Sequence, residues 1–356
     1  MKTQITPFKL ARYPEILSGP VRPIHWDVDP SSACDHHCRG CPYIYTGDID
    51  PMLGIARPEM AVEKRTLLSY ERFVHFLSEA AEHGGKAITF VGGGEPTLHP
   101  RFTGMMSAAL AFGFKFGVVT HLGRRYDDAF FSTLARATWV RVSVNAGTAE
   151  TYLKHQGKDD FHRVLTNMAR ANREGGRVGM SFLITNDNYG EIPLATQLAI
   201  DHGAQYIQFK PIIEVDLGKA YEGIEQSIEG RLLAAQDIAV HASGFEIHDQ
   251  WSARLAELRD HAAKKFSGRC HVPRSNPKLG ANGIVYTCCE LAYSAEGAIG
   301  SIYEETLEAL LEKAGARFME QSTCPHCWNK PLNTIINEGR LSELSPPPES
   351  VDQEFV

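Results

Sequence analysis

Asp29-Pro30-Ser31-Ser32-Ala33-Cys34-Asp35-His36-His37-Cys38-Arg39-Gly40-Cys41-Pro42-Tyr43 is the stretch on which the reading of this chain turns. It follows a short β-like run, Ile24–Asp29, and spaces three cysteines at i, i+4 and i+7. Three thiolates so spaced can fold around one corner of a cubane iron–sulfur cluster, because thiolates are soft, strongly donating ligands for iron. Three protein ligands on four irons leave one iron open to chelation by a small molecule. A tetrahedral zinc site from Cys34, Cys38, Cys41 and either His36 or His37 would use the same stretch. A second motif, Val91-Gly92-Gly93-Gly94-Glu95-Pro96-Thr97, follows the run Ala87–Val91. Glycines at a strand end let a ligand approach the backbone closely. Their edge groups can pair with the main-chain atoms of an amino acid, as an added strand would. Glu95 adds a carboxylate for a cationic amine.

Working outward, the chain has 356 residues, 43% hydrophobic and 22% charged. That length suits two domains, or one large barrel with an appendage. The apolar content excludes a disordered chain, and no repeat points to a fibrous or solenoid class. Net charge is −7, which disfavours a nucleic-acid binder resting on clustered Lys and Arg. No apolar run reaches the ~18 to 20 residues of a bilayer span, and the first residues lack a secretory h-region. The expected compartment is the cytoplasm, where spaced cysteines mean metal or catalysis before disulfides.

Between the two cysteine groups, β-like runs alternate with amphipathic stretches. The expected strands are Ile24–Asp29, Ala87–Val91, Lys115–Thr120, Trp139–Val144, Val178–Ile184 and Gln205–Lys210. The expected helices include Thr66–His83, Phe102–Phe112, Phe161–Glu174 and Ile192–His202, with Phe73, Phe76, Leu77 and Ala80 at helical spacing. Six such β-α repeats predict an α/β fold with a parallel sheet. Such folds put their chemistry at the carboxyl ends of the strands, where both motifs lie. Helices are also expected over Tyr221–His241 and Gln250–Phe266, a hairpin around Asn282-Gly283 and a helix over Glu304–Gln321. The implied domains are an N-terminal extension (1–23), a barrel (24–220), a helical connection (221–268), a C-terminal cysteine-rich α+β module (269–335) and a disordered tail (336–356).

CxxxCxxC after the first strand with GGGEP after the second resembles the double signature of the radical S-adenosylmethionine (SAM) enzymes. The resemblance covers roughly residues 24 to 215 as a partial (β/α)6 barrel. It implies a [4Fe-4S] cluster on Cys34, Cys38 and Cys41, with SAM chelating the fourth iron through its amino and carboxylate groups. Gly93, Gly94 and Glu95 would hold the methionine moiety. Ser143 and Asn145, at the end of the family's fourth strand, would reach the SAM ribose or carboxylate. Many members carry an aromatic before the third cysteine; Gly40 stands here, so adenine packing falls to Tyr43. Thr120-His121-Leu122-Gly123 replaces the common Thr-Asn-Gly, which makes His121 a candidate substrate contact. An electron from the cluster would cleave the sulfonium to methionine and a 5′-deoxyadenosyl radical able to take hydrogen from an unactivated C–H bond. The cofactor carries that chemistry, and the protein positions it and excludes water.

Cys270, Cys288, Cys289, Cys324 and Cys327 form the second group. Four thiolates saturate one cubane or one structural zinc. Cys288 and Cys289 compete, because neighbours on a strand face opposite sides. Gly283-x4-Cys288 resembles the auxiliary-cluster module that follows many radical SAM barrels (SPASM, or its short single-cluster form, Twitch), which favours Cys270, Cys288, Cys324 and Cys327 as ligands. A fully ligated cluster suits electron transfer. The expected reaction is hydrogen abstraction from a small hydroxylated metabolite of sugar, aminocyclitol or nucleoside type, in natural product biosynthesis, completed as a two-electron oxidation. Lys210 and Glu214 are candidate bases, and a flavodoxin or ferredoxin would be the low-potential donor. The rivals are sugar epimerisation and peptide or protein modification, the latter weakened by the 33 residues ahead of Cys34. A non-catalytic iron–sulfur carrier or redox sensor would explain the cysteines but not Gly92–Pro96.

Overall fold

The computed structural model describes residues 19–39, 41, 43, 66–212, 221–252, 269–316 and 330–340. It divides into two compact units. One comprises Met1–Ala33, Pro58–Gly117 and His261–Val356, the other Cys34–Arg57 and Val118–Asp260.

In the first unit, β1 (His25–Val28) pairs in parallel with β2 (Ala87–Phe90), His25 facing Ala87 and Val28 facing Phe90. On its other edge β1 pairs in parallel with β8 (Lys278–Leu279), Asp27 facing Lys278. β9 (Ile284–Tyr286) and β10 (Ala298–Ser301) add antiparallel strands, giving the order β10-β9-β8-β1-β2. The β8–β9 connection is the expected hairpin. Gly283 takes φ +77°, a left-handed conformation that costs glycine little. α1 (Tyr70–Glu82) buries Phe73, Phe76, Leu77 and Ala80, and Trp26 meets Phe76 edge-on with ring centroids 4.9 Å apart. The helix begins after Ser69, whose hydroxyl accepts from Arg72 N. That cap ends the irregular segment and sets the start later than the apolar periodicity alone suggests. α2 (Phe102–Ala111) follows β2.

In the second unit, β4 (Trp139–Ser143), β5 (Val178–Ile184), β6 (Tyr206–Pro211) and β7 (Glu246–Asp249) are successive parallel neighbours. β3 (Lys115–Thr120) runs through the division between the units. The helices of this unit are α3 (Asp128–Leu134), α4 (Ala149–Gln156), α5 (Phe161–Arg173), α6 (Ile192–Asp201) and α7 (Glu225–Val240). α5 packs one face, Val164, Leu165, Met168 and Ala171, into the core. The architecture is an α/β fold with a parallel-rich sheet.

β7, α3 and α4 had no clear sequence signal. β7 reads Glu-Ile-His-Asp, polar and only half-buried. α3 and α4 are short and owe their starts to side chains: Asp127 accepts from Phe130 N, and Thr148 from Thr151 N. The first unit is completed by α8 (Val272–Ser275), α9 (Leu307–Ala316) and α10 (Lys330–Asn337). Of the helix expected over Gln250–Phe266, Gln250, Trp251 and Ser252 lie among the described residues, the last two helical. No helix among the described residues is long and apolar enough to cross a membrane.

Candidate functional site

The cysteine loop belongs to the second unit, and polar contacts hold it from three sides. The C-terminal end of α4 supplies the first. His37 N donates to Gln156 O at 3.0 Å and Arg39 N to His155 O at 2.8 Å, while Gln156 Oε1 accepts from the Cys38 thiol at 2.7 Å. Gly157 ends α4 with φ +67°, and a Cβ there would press on His37 at 3.0 Å. The second side is a buried group around Asp160. Its Oδ1 accepts from Tyr152 OH at 2.9 Å, and its Oδ2 lies 3.3 Å from His36 Nε2. The third is His121. Its Nδ1 accepts from Gly123 N at 2.9 Å, which leaves Nε2 to face Asp35 Oδ1 at 2.9 Å. The His36 and His121 rings stack with centroids 3.7 Å apart, and Lys158 pairs with Asp35.

This packing sets the charges. The hydrogen bond from His121, then Lys158, holds the Asp35 carboxyl well below the usual carboxylate range. Burial, then repulsion from His121, pushes His36 down toward its neutral form. Burial of the sulfur, with a smaller contribution from the Cys34 charge, pushes the Cys41 thiol up to about 11. Cys34, Cys38 and Cys41 form no disulfide. Three unbridged thiols on one short loop are soft donors, so these residues fit an iron–sulfur cluster. Cys34, Asp35 and His121 also each place one ligand atom within 4.8 Å of the others. His121 and Asp35 are closed on each other by their ion pair, and His36 turns Nε2 to Asp160.

The glycine motif belongs to the first unit and leaves β2 for a 3-10 turn, Pro96–Leu98. Its glycines are demanded by close packing. A Cβ on Gly94 would strike the backbone of Ser32 and Ala33, one on Gly92 the Gly94 carbonyl, and one on Gly93 the Tyr293 ring at 2.8 Å. Glu95 N donates to Ala33 O at 2.7 Å, which ties the motif to the residue preceding Cys34. The Glu95 carboxylate is buried and accepts from Thr97 N and Thr97 Oγ1 at 3.1 and 2.7 Å. Gly93 N donates to Asp29 Oδ2 at 2.9 Å. Asp29 has no exposure, and its Oδ1 lies 2.7 Å from Lys278 Nζ.

The other expected residues are placed as follows. Tyr43 is half-buried, and its backbone amide donates to the Cys41 sulfur. Ser143 ends β4 half-buried. Asn145 has φ +59°, and its Oδ1 accepts from Leu183 N at 2.8 Å. Lys210 is half-buried in β6; Glu214 lies outside the described residues. Cys270 packs on an apolar cluster of Val272, Cys288 and Leu291. Burial pushes the Cys270 thiol up, and Cys289 well up. Cys324 and Cys327 lie outside the described residues. Sequence reasoning missed Asp160, Gln156, Lys278 and Tyr293. Only Lys278, a cation before an apolar residue at the head of a hairpin, gave any sign.

Residues 28–199 match the family described as the Radical SAM superfamily. The matched stretch spans both motifs and the strands β2 to β5. Among solved structures, SuiB of Streptococcus suis aligns with this chain at 15% identity and a TM-score of 0.60, over 82% of this chain and 66% of that one. SuiB bound to the precursor peptide SuiA aligns at 14% identity and 0.63, over 90% and 72%. anSMEcpe with bound AdoMet aligns at 17% identity and 0.61, over 87% and 88%. These identities show a shared fold. This chain spans just under two thirds of the SuiB chain in the first of these. No curated protein matches it.

Proposed function

We propose that this chain is a radical SAM enzyme that oxidises a small hydroxylated metabolite by two electrons. The observation that carries the reading is the pair of loops leaving β1 and β2 inside the stretch that matches the Radical SAM superfamily: three unbridged cysteines at i, i+4 and i+7, and a Gly-Gly-Gly-Glu turn anchored to Ala33. Cys34, Cys38 and Cys41 would hold the [4Fe-4S] cluster, and Gly93, Gly94 and Glu95 the methionine end of SAM. Tyr43, Ser143 and Asn145 are assigned to the adenosine end. When bound, this pair supplies a 5′-deoxyadenosyl radical by reductive cleavage of the sulfonium.

The chain's own residues then have three tasks. The polar contacts around His36 and Asp160 hold the cysteine loop in one shape. The closely packed glycine turn is assigned the task of keeping water from the bound sulfonium. For the oxidation to balance, the substrate carbon gives a hydrogen atom to the radical, its hydroxyl gives a proton to a base, and one electron leaves. Lys210 or Glu214 is assigned the proton. A second [4Fe-4S] cluster on Cys270, Cys288, Cys324 and Cys327 is assigned the electron, a choice supported by the packing of Cys270 against Cys288.

Peptide modification is the second reading, favoured by the peptide-bound state of the SuiB neighbour. Anaerobic reconstitution, then SAM and a strong reductant, tests the core of the proposal: 5′-deoxyadenosine forms. Its absence with clusters intact would leave an electron carrier. A substrate lighter by two hydrogens supports oxidation, and an isomer of unchanged mass supports epimerisation.

A further inference from the structure

Asp29 directly follows β1 with no solvent exposure, and both oxygens of its carboxylate face donors from elsewhere in the first unit. Oδ1 meets Lys278 Nζ at 2.7 Å, with the two side chains 0% and 1% exposed. Oδ2 accepts from Gly93 N at 2.9 Å and from Tyr293 OH at 2.8 Å. Tyr293 OH in turn accepts from Ala281 N at 3.1 Å. Tyr293 itself sits at φ +63°, in the left-handed region that an aromatic residue rarely adopts. Its ring covers Gly93 so closely that a Cβ there would be 2.8 Å from Cε2.

A buried ion pair is a poor way to gain stability, since apolar residues of the same size usually do as well. A strained aromatic persists only where its surroundings hold it, and such residues concentrate at functional sites. Both features converge on one backbone amide, that of Gly93. We propose that Lys278 and Tyr293 are positioning residues for the Gly92–Glu95 turn, acting through Asp29, so that the segment around β8 sets the affinity of the SAM site. The proposal rests on the reading of that turn as the SAM cradle and adds that a distant segment controls its shape. Lys278 fixes the carboxylate, the carboxylate fixes the Gly93 amide, and the Tyr293 ring packs over Gly93.

The test uses the full chain, anaerobically reconstituted, with SAM as titrant. The readouts are the SAM-induced change in the electron paramagnetic resonance signal of the reduced cluster, and KM and kcat for 5′-deoxyadenosine formation. Tyr293→Phe keeps the ring and removes one hydrogen bond to a charged group, so KM for SAM should rise about tenfold with kcat at saturation little changed. Lys278→Met is expected to lose stability. The double variant Asp29→Asn/Lys278→Met removes the charges together and should recover the fold, yet keep a weakened SAM site. Full iron content and native SAM affinity in both Tyr293→Phe and the double variant would overturn the proposal. A native protein whose cluster signal ignores SAM would instead refute the cradle reading, and this proposal with it.

Discussion

The two cysteine regions are built on opposite principles. The residues between Cys34 and Cys41 are held by hydrogen bonds and ion pairs: His36 to Asp160, Asp35 to His121 and Lys158, His37 and Arg39 to the end of α4. Cys270 and Cys288 instead pack among Val272 and Leu291, with Asn333 Nδ2 3.7 Å from the Cys270 sulfur. A half-exposed, polar loop suits a site that must admit a charged ligand. An apolar setting suits a site that has all its ligands and only passes electrons. The spacing differs too: eight residues contain Cys34, Cys38 and Cys41, whereas Cys270, Cys288, Cys324 and Cys327 come from segments far apart in the chain.

The largest effects should fall on the cysteines and should separate the two regions. Cys34→Ala is expected to remove about four of about eight irons and abolish 5′-deoxyadenosine formation. Cys288→Ala should also remove about four irons but leave SAM cleavage in place. Cys289→Ala should leave the iron count unchanged. Iron and sulfide analysis beside the cleavage assay reads all three. Iron lost from Cys289→Ala in place of Cys288→Ala would reverse the assignment at β9. Next comes the buried pair under the glycine turn. Lys278→Met strands the Asp29 carboxylate and should cost about 3–5 kcal/mol, measured by urea unfolding.

Asp160→Ala should cost less, about 1–3 kcal/mol, by stranding Tyr152 OH and His36 Nε2. If the polar loop is held as described, this variant releases iron from the first cluster faster under a chelator, and iron at the second is unaffected. Equal release from both would erase the contrast between the regions. The smallest expected effect is a pH dependence. His99 is buried, with Nε2 on Leu68 O at 2.9 Å and Nδ1 accepting from Arg101 N at 3.1 Å. Burial pushes its pKa down from 6.5. The unfolded chain then takes the proton first, so stability is full above about pH 6.5 and falls as pH drops toward the folded value. His99→Gln should flatten that fall. An unchanged slope would mean that other buried histidines, His155 among them, carry it.

Much of the fold was legible. The apolar runs at Ala87 and Val178 became β2 and β5, because a strand buried on both faces needs a continuous apolar stretch, whereas β4 alternates buried Val140 and Val142 with half-buried Trp139, Arg141 and Ser143. β7 was not legible, since an edge strand with Glu246 and His248 need bury little. Both motifs could be read because each is local. What holds them could not. Asp29 and Tyr293 lie 264 positions apart, and His36 and Asp160 lie 124 apart, so no periodicity or spacing links them. Glu95 read as a carboxylate for a cationic amine; in the structure its Oε1 accepts from Thr97 N and Thr97 Oγ1, contacts no spacing rule announced.

Binding of S-adenosylmethionine to the reduced, reconstituted protein is the most direct measurement of the account. If Cys34, Cys38 and Cys41 hold a cubane as proposed, one iron lacks a cysteine, so the cluster's resonance signal should shift on adding the sulfonium and 5′-deoxyadenosine should follow. A signal unchanged by saturating S-adenosylmethionine, in protein with its full iron, would contradict the assigned chemistry.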